Sequence, residues 1–76
     1  MRVLSYRIIL KPEPEGGFTV TVPALPGCIT YGSNIEEAKE MVRDAIGVYL
    51  ESLKKHSEAI FDDTDTLETR LSIQYG

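Results

Sequence analysis

The sequence predicts an α+β domain in the order β-β-β-α-β, with an antiparallel sheet and one long helix across a face of it. Three observations lead to this prediction. Four short runs have the composition of strands, and in three of them apolar and polar residues alternate, which is the pattern of a strand with one buried face. Short connections rich in proline and glycine separate the first three runs, which favours an antiparallel meander. Between the third and fourth runs, apolar positions recur at helical steps of three and four residues.

The first two strands are predicted over residues 4–10 and 18–22. In the first, apolar side chains take every second position, at Leu4, Tyr6, Ile8 and Leu10. In the second, Phe18, Val20 and Val22 face inward and two threonines face outward. The prolines and paired glycines of residues 11–17 indicate a hairpin connection between the two strands.

A bend over residues 22–28 separates the second strand from a short third strand, predicted over residues 28–31. Its two prolines cannot donate backbone hydrogen bonds to a sheet, so the ladder must stop there. Prolines, a glycine and an apolar pair also make a rigid surface. We therefore take five residues as a candidate partner-binding site: Pro23, Ala24, Leu25, Pro26 and Gly27. A plain strand connection explains the same residues equally well.

The helix is predicted to begin after Ser33 and Asn34, which are both good N-caps with a glutamate three places on. It ends near Lys54, Lys55 and His56, whose charges suit the negative end of the helix dipole. Gly47 lies inside the helix, where glycine costs about 1 kcal/mol relative to alanine. That cost predicts a close approach of the sheet at Gly47.

The last strand is predicted over residues 67–75, after a polar turn at residues 62–66. An edge strand without proline readily pairs with another chain. Its alternate residues therefore form a candidate oligomer face, made of Leu67, Thr69, Leu71, Ile73 and Tyr75. A chain of this size buries a smaller fraction of its surface on folding than a larger domain does, so we expect a homodimer or a higher oligomer to supply stability.

Composition limits the possible classes of function. The chain has 76 residues, room for a single domain over residues 1–76, with 8 basic and 12 acidic residues and a net charge of −4. No basic stripe exists, so direct nucleic-acid binding is not expected. The N-terminus lacks a signal sequence, and no apolar run could span a membrane. The single cysteine suits a reducing compartment, so we expect a cytoplasmic protein.

No group of residues in the sequence supplies a catalytic centre. His56 has no evident nucleophile or orienting partner, and Cys28 is expected to act as a small apolar strand residue. One cysteine and one histidine are too few for a structural metal, and Asp62, Asp63 and Asp65 lack the spacing of a calcium loop. We therefore expect no enzyme activity and no cofactor, and a function based on binding.

The stretch GFTVTVPALPGCITYG at residues 17–32, followed by SNIEEA at residues 33–38, resembles the HicB-like antitoxin family. In that family, G-[YF]-x-a-x-V-P-x-L-P-G-C-x-t-x-G precedes a helix that opens with E-E-A. The resemblance implies a partial ribonuclease-H-like fold without a nuclease centre. It also implies that the protein masks a small basic HicA-type ribonuclease toxin. Members often carry a C-terminal DNA-binding domain, whereas the residues after this helix indicate a turn and a strand, so a short member is expected.

Two positions depart from the family pattern, and other functions stay open. Ala24 replaces a common acidic residue, which puts a toxin contact there in doubt, and Ser33 and Asn34 replace Asp-Thr while preserving helix capping. The alternative function is a stand-alone binding or regulatory module with no toxin partner. A residual nuclease would need several carboxylates converging on Mg²⁺, and the predicted strands contain only Glu68.

Overall fold

A computed structural model describes residues 2–76. Three strands, β1 (Ile9–Pro12), β2 (Phe18–Thr21) and β3 (Ile29–Gly32), precede one helix, α1 (Ile35–Lys55). The strands form an antiparallel sheet in the order β1-β2-β3, and α1 packs on one face against β3 and β2. The predicted α+β class and the order of its first four elements are confirmed. Within residues 2–76, α1 is too polar to serve as a membrane-spanning helix.

The core lies between the sheet and α1. Val20, which pairs with Leu10 on one side and Thr30 on the other, is completely buried. The other buried apolar residues come from the bend and the helix: Val22, Leu25, Cys28, Ala38 and Val42. The alternate positions of the sheet face away from the helix, and there Ile9, Ile29 and Tyr31 are exposed. This open face matches the predicted period of two.

The ladder of β1 begins at Ile9, five residues later than predicted. Ile9 pairs with Thr21, so Arg7 would stand opposite Pro23, where the bend turns away. Because β2 has ended there, Asp62 and Asp63 supply the hydrogen-bond partners of Ser5 and Arg7. Asp62 Oδ2 accepts from Ser5 N over 2.9 Å, Asp63 Oδ2 accepts from Arg7 N over 3.2 Å, and Asp63 N donates to Ser5 O over 2.8 Å.

The predicted strand over residues 67–75 is not a strand in this chain, which corrects the fifth element of the predicted order. Leu67, Leu71, Ile73 and Tyr75 are 79% to 100% exposed, and Thr69 is exposed as well. A strand is defined by the backbone bonds of its partner, and a sequence period cannot specify a partner. We call residues 67–75 the C-terminal segment.

The N-terminus of α1 is capped as predicted, with one shift of residues. Asn34 Oδ1 accepts from Glu37 N over 2.8 Å, so Asn34 is the N-cap. Glu37 Oε1 accepts from both Ser33 N and Ser33 Oγ over 2.7 Å. Both hydrogen bonds lower the pKa of the Glu37 carboxyl, and the bond from the Ser33 backbone contributes more than the bond from its hydroxyl. The reciprocal pair of a capping box is therefore completed one residue before the N-cap.

The prediction for Gly47 is wrong. A Cβ atom added at Gly47 would meet open space, so no close approach of the sheet explains this glycine. The close approach occurs at Gly32 instead, where an added Cβ would clash with the backbone of Ala38. The end of β3 thus needs a glycine so that the first turn of α1 can pass over it.

Candidate partner-binding surface

The bend is a compact hydrogen-bonded structure. Val22 N donates to Cys28 O over 3.2 Å, Leu25 N donates to Val22 O over 2.9 Å, and Cys28 N donates to Leu25 O over 3.0 Å. Gly27 has a φ of 84°, in the left-handed region that favours glycine. These three bonds and the turn at Gly27 define the shape of the bend.

The five candidate partner-binding residues separate into two groups. Leu25 is only 3% exposed and belongs to the core, and Ala24 is half-buried. Pro23, Pro26 and Gly27 are exposed. The side chain of Leu25 fixes the bend from below, while the other three residues present its outer surface.

A shallow apolar depression lies beside the bend, where the C-terminal half of α1 packs near the start of β3. It is lined by Gly27, Cys28, Ile29, Ala45, Val48, Tyr49 and Ser52, and we call these residues the bend patch. Val48 is 72% exposed at the centre of the patch. Ile29, which is 62% exposed, lines the depression from the start of β3 while its side chain lies on the face opposite to Thr30. Tyr49 Oη donates to Pro26 O over 2.9 Å and holds the helix and the bend together.

Carboxylates flank the apolar centre of the bend patch. Asp44 and Glu51 stand four residues before and three residues after Val48, so all three share one side of the helix. Both acidic side chains are exposed. An apolar centre with an acidic rim suits a partner that presents an apolar side chain among basic residues. The sequence identified the bend but not Ile29 and Val48, because these two residues are distant in sequence and line one depression only in the folded chain.

Cys28 and His56 have structural roles in this fold. Cys28 is buried, and burial raises the pKa of its thiol, so the reactive thiolate is disfavoured. His56 is the C-cap of α1, and its Nδ1 lies 2.8 Å from Ser52 O. Among residues 2–76, no three His, Cys, Asp or Glu side chains lie where they could hold a metal ion together.

The turn at residues 62–66 anchors the C-terminal segment to the N-terminal side of the sheet. Asp62 Oδ2 also accepts from Thr64 Oγ1 over 2.7 Å, and these bonds lower the pKa of Asp62, with that from Thr64 contributing most. Arg7 Nη1 pairs with Glu68 Oε1 over 2.8 Å. Beyond Glu68 the candidate oligomer face is exposed and belongs to no helix or strand.

Comparison with known proteins gives the family. The model of the HicB-like antitoxin of bacterial toxin-antitoxin systems matches residues 6–74. A UPF0150 protein of Thermoplasma acidophilum is 46% identical over 57 residues, covering 75% of this chain and 83% of that protein. A UPF0150 protein of Archaeoglobus fulgidus is 31% identical over 67 residues, covering 88% of this chain and 97% of that protein.

The chain is also similar to proteins named as antitoxins. Antitoxin HicB 1 of Photorhabdus laumondii is 37% identical over 57 residues, which cover 75% of this chain and 37% of that antitoxin. The similarity therefore spans little more than a third of the longer protein. The family model covers nearly the whole chain, and the match includes the bend, the sheet and the helix. This chain belongs to the HicB-like antitoxin family.

Proposed function

We propose that this protein is the antitoxin of a type II toxin-antitoxin pair and that it masks a small basic HicA-type ribonuclease through the bend patch. Family membership supports the antitoxin role. The observation that carries the choice of surface is the exposed apolar centre of the patch between Asp44 and Glu51. Partner binding in this proposal is non-enzymatic. It requires neither a cofactor nor direct nucleic-acid binding, and a single unpaired cysteine suits a cytoplasmic location.

The rigid bend explains how so small a surface could bind tightly. Its three internal backbone bonds and the bond from Tyr49 to Pro26 hold Pro23, Pro26 and Gly27 in place before binding. A preorganised surface loses less conformational entropy on association. Apolar contacts at the centre supply binding energy, and the carboxylates select a basic partner and speed its approach.

The test uses the product of an adjacent gene that encodes a basic chain of roughly 60 to 80 residues, the size of one small domain. The purified toxin should cleave RNA, the present protein alone should leave RNA and its own promoter DNA untouched, and the mixture should leave RNA intact. Val48→Lys should weaken toxin binding by at least about tenfold, since it removes the apolar centre and places a positive charge, which can pair with Asp44 and Glu51, against a basic partner. Val3→Lys is the matched control, because Val3 is 93% exposed and far from the bend in sequence.

A second pair of variants tests the charge of the rim. Asp44→Asn with Glu51→Gln should slow association and reduce its dependence on salt. Glu15→Gln with Asp65→Asn makes the same change in charge at exposed positions elsewhere and should have a smaller effect. Equal binding by Val48→Lys and Val3→Lys would refute the bend patch as the toxin site. Unimpeded RNA cleavage in the mixture would refute inhibition of that toxin and favour the stand-alone module.

We also propose that the protein associates with itself through the C-terminal segment. Four large apolar side chains of that segment are exposed in the single chain. Exposed apolar residues at alternate positions of an extended backbone are typical of an edge strand that pairs with another chain. Sedimentation equilibrium should therefore find a dimer or a higher oligomer, and a stable monomer at high micromolar concentration would refute self-association.

A further inference from the structure

A groove of about 490 Å³ runs between the residues that precede β1 and the helix. Leu4, Tyr6 and Ile8 form one wall, and Val42, Ile46 and Leu50 form the other. The groove has an apolar interior, and Lys39 and Arg43 lie at its rim. It lies beside residues 4–8, which continue the open edge of the sheet before β1, so one more strand could be added there under α1.

The backbone beside the groove offers hydrogen bonds to a further strand. Glu13 N donates to Gly17 O, so the odd-numbered residues of β1 direct their backbone groups toward β2. Ser5 and Arg7 continue this pattern, with Asp62 and Asp63 as their partners. Tyr6 and Ile8 alternate with Ser5 and Arg7, so their N–H groups point away from β2. Within residues 2–76 neither of these two N–H groups donates a hydrogen bond. They form an open edge along the groove.

The C-terminal segment of the same chain starts on the opposite face of the sheet. Ile9, which faces away from the helix, shares a shallow depression with Glu68, Thr69 and Arg70. The ion pair between Arg7 and Glu68 holds the start of the segment near that depression. The segment therefore leaves its own domain on the face that lacks the groove, and its apolar residues stay exposed.

The central part of the C-terminal segment matches the length of the groove. The groove follows α1 from Lys39 to Leu50, about 17 Å, and the five extended residues 69–73, centred on Leu71, span about the same length. The side chains of Leu67, Leu71, Ile73 and Tyr75 share one face, as the filling of an apolar groove requires. Burying them in two copies would remove on the order of 1,000 Å² from solvent, which reaches the lower bound for a specific interface.

We propose that the C-terminal segment of one copy docks as an added strand in the groove of a second copy, and that the C-terminal segment of the second copy docks in the groove of the first. This arrangement rests on the proposed self-association and assigns both of its surfaces. A reciprocal exchange is a closed two-fold contact, so it stops at the dimer. The open N–H groups of Tyr6 and Ile8 then have acceptors, and the groove is filled.

Sedimentation equilibrium of the full chain separates the two levels of the proposal. Wild-type protein should be a dimer, and Leu71→Lys should be a folded monomer, because Leu71 is 84% exposed within its own chain. Ser72→Lys places the same charge on the adjacent, opposite-facing position and should stay dimeric. Far-ultraviolet circular dichroism verifies that each variant is folded. A wild-type monomer would overturn both self-association and the docking.

Cross-linking between copies tests the groove itself. Leu71 is the central residue of the segment, and Ile46 lies one residue from the centre of α1, so the two should meet whichever way the segment runs. Protein with Leu71→Cys, mixed with protein carrying Ile46→Cys, should form a covalent dimer with a short thiol cross-linker. Ser72→Cys in place of Leu71→Cys should not, and the buried Cys28 should not react. A dimer that persists in Leu71→Lys and fails to cross-link would overturn the docking while self-association stands.

Discussion

The hydroxyl group of Tyr49 donates a hydrogen bond to the backbone carbonyl oxygen of Pro26 over 2.9 Å and joins the helix to the bend. Tyr49→Phe removes this bond and keeps the ring. We expect the free energy of unfolding to fall by about 1 kcal/mol, measured by urea denaturation, and toxin binding to weaken because the bend loses its fixed position. An unchanged denaturation midpoint together with unchanged toxin binding would show that the bend holds its shape without the helix.

Gly47→Ala should stabilise the protein by about 1 kcal/mol, because alanine is the better helix former and its Cβ would meet open space. Gly32→Ala should destabilise it by on the order of 2 kcal/mol, since its Cβ would overlap the backbone of Ala38. Thermal unfolding of the two variants beside wild type measures both effects. A Gly47→Ala variant that melts below wild type would indicate that Gly47 has a contact in the assembled protein.

Asn34→Ala should cost about 1 kcal/mol of stability, because the N–H of Glu37 loses its acceptor at the start of α1. Ser33→Ala should cost less. It removes the hydroxyl bond to Glu37 and keeps the backbone N–H that donates to the same carboxylate oxygen. Chemical denaturation gives both values, and a larger loss for Ser33→Ala would mean that Ser33 is the principal cap.

Acid should weaken the attachment of the turn at residues 62–66. Hydrogen bonds from Thr64 and Ser5 lower the pKa of Asp62, so they favour its charged form in the folded protein. That contribution is complete above the ordinary aspartate value of about 4. It is lost as pH falls below this value and through the lowered pKa.

Asp62→Asn should therefore show a smaller loss of stability than wild type between about pH 5 and pH 2. Urea unfolding followed at several pH values measures the difference. Asp65→Asn is the control, because Asp65 is exposed and makes no side-chain hydrogen bond among residues 2–76. Identical pH dependence in Asp62→Asn and wild type would contradict the assignment.

Sequence periodicity predicted the elements whose partners lie within the chain. The helix runs from Ile35 to Lys55 as its caps and its apolar stripe indicated, and the pairing of β2 with its neighbours follows the predicted meander. The partial ribonuclease-H-like relationship stays a prediction. Periodicity could not predict where β1 begins to pair, because the pairing depends on where its partner β2 ends, and β2 ends just before the bend that contains Pro23.

The candidate site was only partly predictable for the same reason. Pro23, Pro26 and Gly27 are recognisable as a surface bend from residue type alone, but the burial of Leu25 depends on the helix above it. Ile29 and Val48 are distant in sequence and come together only when α1 crosses β3. The C-terminal segment has the period of a strand, yet no sequence pattern states whether its partner strand belongs to the same chain.

The contacts of Ser5 and Arg7 with Asp62 and Asp63 have a consequence for assembly kinetics. They attach the residues just before the C-terminal segment to the domain, so the position at which the segment begins is fixed before two copies meet. In the proposed strand exchange, part of the segment is then already ordered by folding, so the encounter of two copies requires a smaller conformational search. Since Arg7 also pairs with the exposed Glu68, salt should loosen this attachment and slow association before it affects the stability of the sheet.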